Sequence, residues 1–487
     1  MQMHTLFARK KYARAVAGGA VALAASGIVL LRAERDQQSS GGAISPQVTT
    51  QSRPGGAPSA EFRGPAAHGR IALSQGAVMA NGEQHVFADI RLAADRAATA
   101  SAPRPVALAV VLDVSGSMSG EKLAQAKTSV LQLVERMRPT DQIALVTYSD
   151  SVRVVQPLAP VSAVRDSLRM TIPTIQIEGG TNIPAGIAAG AQSLAFAATG
   201  LVRRIVLVSD GQDTSGRPLE GVRAEVRQRA DQGVTVSTLG IGTDYSESYM
   251  TALADSGRGN YEFLRTGNEL ASFLTRELDQ ANNTTVERAV AEVTLPAGWR
   301  LERAIGSEAQ GHSGTISLPV GALFAGDERR VVLDLVVPAS AVGAVFDLGF
   351  RGSWHAVATQ QDVRVGDGHL AVRVVGTEQE AVASRDMGVF AESQSAVLAL
   401  RQRDAVEAWR SGDVRRAQSI AAANIVALQG LQRAAPSAAP ALARQANTYA
   451  AENSAFGAMS AASESGRAFG LSSNARHRAA GMRSAAY

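Results

Sequence analysis

The sequence predicts an α/β chain: a doubly wound, mainly parallel sheet covered by helices, joined to an antiparallel β-sandwich and followed by a helical region. Three observations carry this. Between residues 104 and 282, short apolar runs without polar alternation recur between helix-period segments. From 286 to 375 the strand-like runs are separated by Gly, Pro and Asp turns. From 378 to 461 the spacing is helical, with breaks at Ser411-Gly412-Asp413 and Ala435-Pro436. At 487 residues the chain is too long for one domain, and 45% hydrophobic with 19% charged residues is a globular composition.

Taken in order, residues 1–33 read as an export signal or a membrane anchor. Arg9, Lys10, Lys11 and Arg14 precede an uncharged run from Ala15 to Leu31, which Arg32 closes. As a helix that run is roughly 25 Å long, the low edge of a bilayer span. Residues 34–69 hold few large apolar side chains and many breakers, and are expected to be a disordered linker. Residues 70–100 read as two strands joined near Asn81-Gly82, a hairpin signal, and are expected to join the sandwich. That makes the α/β segment an insertion.

Within 104–282 the buried-strand runs are Val106–Leu112, Ile143–Tyr148, Ile205–Val208 and Val234–Ile241. The first intervening helix carries Leu123, Ala126, Val130, Leu133, Val134 and Met137 on one face. The sandwich strands are VERAVAEVTL, RRVVLDLVV, VFDLGFRGSW and HLAVRVV within 286–375. Residues 378–461 form the helical region, and one helical hairpin there faintly suggests a tetratricopeptide-like unit. Residues 462–487 scatter Arg467, Arg476, Arg478 and Arg483 among Ser, Gly and Ala, and are expected to be a disordered tail.

Charge and composition exclude several functions. The net charge is +4, but Arg9, Lys10, Lys11, Arg14 and Arg32 supply +5, which leaves the rest of the chain at −1. A near-neutral body lacks the counterion-release drive of nonspecific nucleic-acid binding. The absence of cysteine removes disulfides, thiolate zinc sites, iron–sulfur clusters and cysteine nucleophiles. Trp299, Trp354 and Trp409 lie far apart in sequence and read as core or interface residues, not as a sugar or base platform.

The chemistry gathers at strand ends. The first apolar run ends in LDVSGSM, which sets Asp113, Ser115 and Ser117 at alternate positions; Gly116 and Gly120 permit a tight turn. Glu178-Gly179-Gly180-Thr181-Asn182 sets a hydroxyl on a glycine-flanked loop, and Ser209-Asp210-Gly211 ends another buried run. Three hydroxyls and two carboxylates, without imidazole or thiolate, suit Mg²⁺, Mn²⁺ or Ca²⁺. Mg²⁺, which keeps waters and needs few carboxylates, is the first choice. Two carboxylates at most balance a dication, so a position can stay open to an acidic group of another molecule. Asp213 and Asp244, on nearby loops, read as solvated turns.

At these residues the chain resembles the von Willebrand factor type A family and its metal-ion-dependent adhesion site, over about Pro105 to Asn282. The family pattern Asp-x-Ser-x-Ser, then Thr, then Asp falls on Asp113, Ser115, Ser117, Thr181 and Asp210. The resemblance implies a Rossmann-like parallel sheet with one antiparallel edge strand. It also implies metal ligation by the serines and the threonine, with the aspartates often acting through water. The flanking β segments look more loosely like those of inter-alpha-trypsin inhibitor heavy chains.

Enzyme readings fare worse. There is no Walker-type Gly-Lys loop and no Gly-x-Ser-x-Gly elbow. His4, His68, His85, His312, His355, His369 and His477 all lie outside 104–282, so that segment holds no Ser-His-Asp triad, and each histidine reads as a surface or strand-edge residue. A Mg²⁺-dependent phosphohydrolase of the haloacid-dehalogenase kind needs a second acid where Ser115 stands. The expectation is therefore a non-enzymatic, metal-dependent protein-binding module of the bacterial cell envelope. Its ligand would be a protein presenting Asp or Glu, and only its N-terminal segment would touch membrane. The alternative is a scaffold for an ATPase-linked assembly.

Overall fold

The computed structural model describes residues 46–51, 56–96, 104–266 and 269–482. The leader expected at 1–33 lies outside them. Among the described residues no helix is long and apolar enough to cross a membrane.

The chain begins with β1 (Gln47–Gln51), β2 (Ser59–Gly64), β3 (Ala67–Leu73), β4 (Ala77–Met79) and β5 (Gln84–Ala94). The α/β segment follows: β6 (Val106–Asp113), α1 (Glu121–Arg136), β7 (Gln142–Tyr148), β8 (Val152–Pro160), α2 (Val161–Thr171), α3 (Ile183–Leu194) and β9 (Val202–Ser209). It ends with α4 (Leu219–Asp231), β10 (Val234–Ile241), α5 (Glu247–Ser256), β11 (Arg258–Leu264) and α6 (Leu270–Asn282). Then come β12 (Thr284–Thr294), β13 (Arg300–Ile305), β14 (Thr315–Phe324), β15 (Glu328–Val337), β16 (Val345–Ala356) and β17 (Gln361–Val375). The helices α7 (Glu378–Ala383), α8 (Met387–Arg410), α9 (Val414–Ala434), α10 (Ala439–Ala458) and α11 (Glu464–Met482) complete it.

The α/β sheet runs β11-β10-β9-β6-β7-β8. All its pairs are parallel except β7–β8, the antiparallel edge. Every residue of β6 is buried, as the unbroken apolar run requires. Successive connections leave β6 toward β7 on one side and β9 on the other, so the carboxyl ends of β6 and β9 meet at a topological switch point.

Two further sheets, β1-β2-β3-β5-β15-β13 and β14-β12-β16-β17-β4, share one core. β5 pairs antiparallel with β15 along ten positions, so strands on both sides of the α/β segment build one sheet. α8 covers this sheet's outer face, where Phe390 meets Phe87 edge-on at 6.1 Å. Trp299, Trp354 and Trp409 are all buried.

Three expectations need correction. Residues 34–69 are not a linker throughout: β1, β2 and the start of β3 lie in it, although 34–45 and 52–55 fall outside the described residues. Small residues misled the reading. Phe62 turns into the core against Phe350 at 6.1 Å, and Gly69 leaves its ring room, since a Cβ there would stand 2.3 Å from Phe62 Cζ. Trp354 Nε1 also donates to the Pro65 carbonyl at 2.7 Å.

Asn81-Gly82 is not a two-strand hairpin. It links β4, which pairs parallel with β17, to β5 in the facing sheet, and β5 pairs instead with β3. The turn residues serve a crossing between sheets.

Residues 462–487 are not a disordered tail, since 464–482 form α11. Ala468 and Leu471 complete one side of the α/β core beside Tyr245, Tyr261 and Phe263. Arg478 pairs with Asp255, and Arg476 with Glu452 at 3.0 Å. His477, read as a surface histidine, is buried with its Nε2 2.8 Å from Glu452 Oε2. The helix forms because it docks; its small-residue sequence has too narrow an apolar face to announce itself.

Candidate metal site at the carboxyl edge of the parallel sheet

Asp113 is the last residue of β6 and is fully buried. Its Oδ1 accepts the Ser115 backbone N–H at 2.8 Å, and its Oδ2 accepts the Ser209 hydroxyl at 2.6 Å and the Tyr148 hydroxyl at 3.3 Å. Burial pushes the Asp113 carboxyl above the usual aspartate range, the nearby Asp210 charge adds to this, and the hydrogen bonds from Ser115 and Ser209 oppose it. Burial, and then the Asp113 charge, also raise Tyr148 well above an ordinary tyrosine, so it stays a donor.

The turn after β6 brings Ser115 Oγ to 3.1 Å from Ser117 Oγ, and Ser117 Oγ donates to Asp210 Oδ1 at 2.7 Å. Asp210, just past β9, is fully buried as well. Its other oxygen, Oδ2, takes an ion pair from Lys122 Nζ, which also donates to the Ser117 carbonyl at 3.3 Å.

Thr181 arrives on the loop before α3. That loop is laced to the first one, with Gly116 N–H donating to the Gly179 carbonyl at 3.1 Å and Glu178 N–H to the Val114 carbonyl at 2.7 Å. Thr181 N–H donates to Thr214 Oγ1 at 3.0 Å, and Thr214 N–H returns to the Thr181 carbonyl at 2.8 Å. Asp213, read as a solvated turn, accepts the Ile183 N–H at 3.1 Å and the Ser215 hydroxyl at 2.6 Å, and so ties the third loop to the start of α3.

The structure thus brings together all five residues singled out in the sequence. The fit to a hard cation can be judged at Gly211. A Cβ there would stand 3.2 Å from both Ser117 Oγ and Thr181 Oγ1, so the absent side chain leaves a cradle between two hydroxyls. Among the described residues no three His, Asp or Glu side chains cluster as metal ligands, so a cation here would depend on hydroxyl oxygens.

Sequence reasoning missed Lys122, Ser209 and Tyr148. Ser209 and Tyr148 sit at the ends of buried strands, where a polar side chain needs a partner. Lys122 had a compositional signal, being one of four lysines in a chain with 48 Lys and Arg together.

The von Willebrand factor type A family model matches residues 107–276. "Uncharacterized protein YfbK" of Escherichia coli (strain K12) is 30% identical over 239 residues, which is 47% of this chain and 41% of that protein. Inter-alpha-trypsin inhibitor heavy chain H2 of Sus scrofa is 30% identical over 190 residues, 37% of this chain and 20% of that one. The chain therefore spans less than half the length of these relatives.

Among solved structures, von Willebrand factor type A from Catenulispora acidiphila superposes with a TM-score of 0.61 at 16% identity, over 83% of this chain and 91% of that one. The ArnB paralog VWA2 from Sulfolobus acidocaldarius reaches 0.55 at 14% identity, over 86% and 100%. At such identities the likeness is one of fold, and it extends well beyond the α/β segment. By sequence match, sheet order and structural likeness together, this chain carries a von Willebrand factor type A domain.

Proposed function

We propose that the α/β domain is a metal-dependent protein-binding module. Asp113, Ser115, Ser117, Thr181 and Asp210 would hold Mg²⁺, with Mn²⁺ or Ca²⁺ as substitutes. When bound, the cation supplies a hard electrophilic position that an Asp or Glu of a partner protein can fill. The observation that carries this reading is the pair of fully buried carboxylates beside the Ser117–Thr181 cradle over Gly211. Domains of this type generally mediate protein interaction or adhesion and commonly bind a divalent metal, which supports it.

The residues of the chain have separate tasks. Ser209 and Tyr148 orient Asp113 by donating to its Oδ2. The Ser115 N–H fixes the other oxygen, and Ser117 orients Asp210. The lacing of the loops holds the Thr181 hydroxyl in register with the serines.

The reading includes no catalysis. It places the chain in the bacterial cell envelope, exported or anchored through residues 1–33, as the basic and apolar leader suggests. The test is affinity capture from envelope extract with the full chain, in Mg²⁺ and in EDTA, beside an Asp113→Ala chain. A partner held by wild type in Mg²⁺ alone supports the reading. Equal capture under all three conditions overturns it and moves binding to the sandwich or the helices.

A further inference from the structure

We infer that Lys122 makes the metal-loaded site select an anionic partner, by balancing the charge of one of its two carboxylates. The inference rests on the metal reading above. Two fully buried carboxylates, Asp113 and Asp210, lie close enough for their charges to interact, and Lys122 Nζ is ion-paired with Asp210 Oδ2. With the lysine counted, these three side chains sum to −1, so a bound dication leaves +1. Without it the same site would be neutral. A net positive centre attracts a carboxylate and disfavours a neutral oxygen donor; a neutral centre discriminates far less.

The placement of Lys122 fits this task. It stands in the first turn of α1, and its Nζ reaches back over the loop to the Ser117 carbonyl. Gly242, at the end of β10, closes on the other side: a Cβ there would stand 3.6 Å from Nζ. The Asp210 side chain has no solvent exposure, while that of Lys122 is 32% exposed, so the lysine can adjust and the carboxylate cannot. A compact ammonium on a flexible stem can stay beside Asp210 without claiming both oxygens as a guanidinium fork would. The same charge must weaken metal binding, because ammonium and dication share Asp210. Lys122 therefore trades metal affinity for partner charge selectivity.

The experiment titrates Mn²⁺ into the full chain by calorimetry at low ionic strength, with and without acetate as the carboxylate probe. It compares wild type, Lys122→Met, Lys122→Arg and Asp113→Ala. Lys122→Met should bind Mn²⁺ about tenfold more tightly than wild type. Acetate should raise Mn²⁺ affinity more in wild type than in Lys122→Met, by reciprocal linkage. Lys122→Arg, which keeps the charge, should bind Mn²⁺ no more tightly than wild type, because its fork can claim both Asp210 oxygens, and should keep the wild-type gain from acetate; that excludes a merely structural effect. A Lys122→Met chain that binds Mn²⁺ no more tightly, or gains as much from acetate, overturns the inference and leaves the metal site standing. A wild type that takes up no Mn²⁺, or an Asp113→Ala chain that binds it equally well, overturns the metal reading itself.

Discussion

Asp89 in the sandwich and Asp113 in the α/β domain are both buried aspartates on central strands, yet their surroundings are opposite. Asp89 Oδ2 accepts Arg330 Nε at 2.8 Å, and its Oδ1 accepts Arg91 Nε at 3.0 Å. Burial alone would raise its carboxyl; the two arginines outweigh that and hold it below the ordinary aspartate value. Asp113 has only hydroxyls and a backbone N–H as donors, and burial together with Asp210 keeps it raised. One carboxylate has its cations inside the fold. The other is oriented, desolvated and left short of positive charge, which is the condition that the proposed cation site requires.

The contrast breaks most directly under neutralisation. Asp89→Asn leaves Arg330 buried without its anion and should cost about 3–5 kcal/mol in denaturant unfolding at pH 7. Asp113→Asn, measured without metal, should cost less than about 1 kcal/mol: a desolvated charge is removed, the amide oxygen can still accept the Ser115 N–H, and the Ser209 and Tyr148 hydroxyls can turn to accept from its NH₂. It should also abolish any Mg²⁺-induced rise in melting temperature. Equal losses in the two variants would mean that Asp113 is as structural as Asp89.

Acid sharpens the same comparison. The folded value of Asp89 lies below its unfolded value, so its stabilisation is present above about pH 4 and is lost as the pH falls further. The stability gap between wild type and Asp89→Asn should therefore be full at pH 7 and close below pH 4. A gap that persists in acid would show that packing, and not charge, sets the Asp89 effect.

The two regions also differ in how they close their cores. The sandwich core is built from strands, whereas one side of the α/β core is completed by Leu471 and Ala468 of α11. Leu471→Ala should destabilise by about 2–4 kcal/mol. An effect below about 0.5 kcal/mol in urea unfolding would mean that the helix rests on the domain without supporting it.

A comparably small change in stability is expected at the cradle. Gly211→Ala puts a methyl group 3.2 Å from Ser117 Oγ and Thr181 Oγ1, a tight contact without backbone collision. It should cost no more than about 1 kcal/mol and yet remove the Mg²⁺ response in a melting assay. A retained response would place any cation elsewhere.

The parallel sheet was legible because strands buried on both faces, such as β6, must be apolar throughout, and helices that cover them must show a single face. The candidate site was legible for a related reason. Asp113, Ser115, Ser117 and Asp210 are polar residues abutting apolar strands, and such positions lie at the edge where loops converge. Less legible were elements whose burial comes from others. β2 is strand because Phe350 receives Phe62 and the Trp354 ring lies against Gly64, and α11 is helix because Glu452, Asp255 and the α/β core receive it.

Periodicity and strand-end polarity are local properties, so the chain's own order carried the fold class and pointed to the five oxygen-bearing residues of the candidate site. Long-range partnership is another matter. The union of β5 with β15, the crossing at Asn81-Gly82 and the docking of α11 each join segments whose attraction depends on a surface made elsewhere in the chain. The pairing of Lys122 with Asp210 belongs with them. Eighty-eight positions separate the two residues, and only the meeting of β6 and β9 at the switch point turns an ordinary helix-surface lysine into part of a charged site.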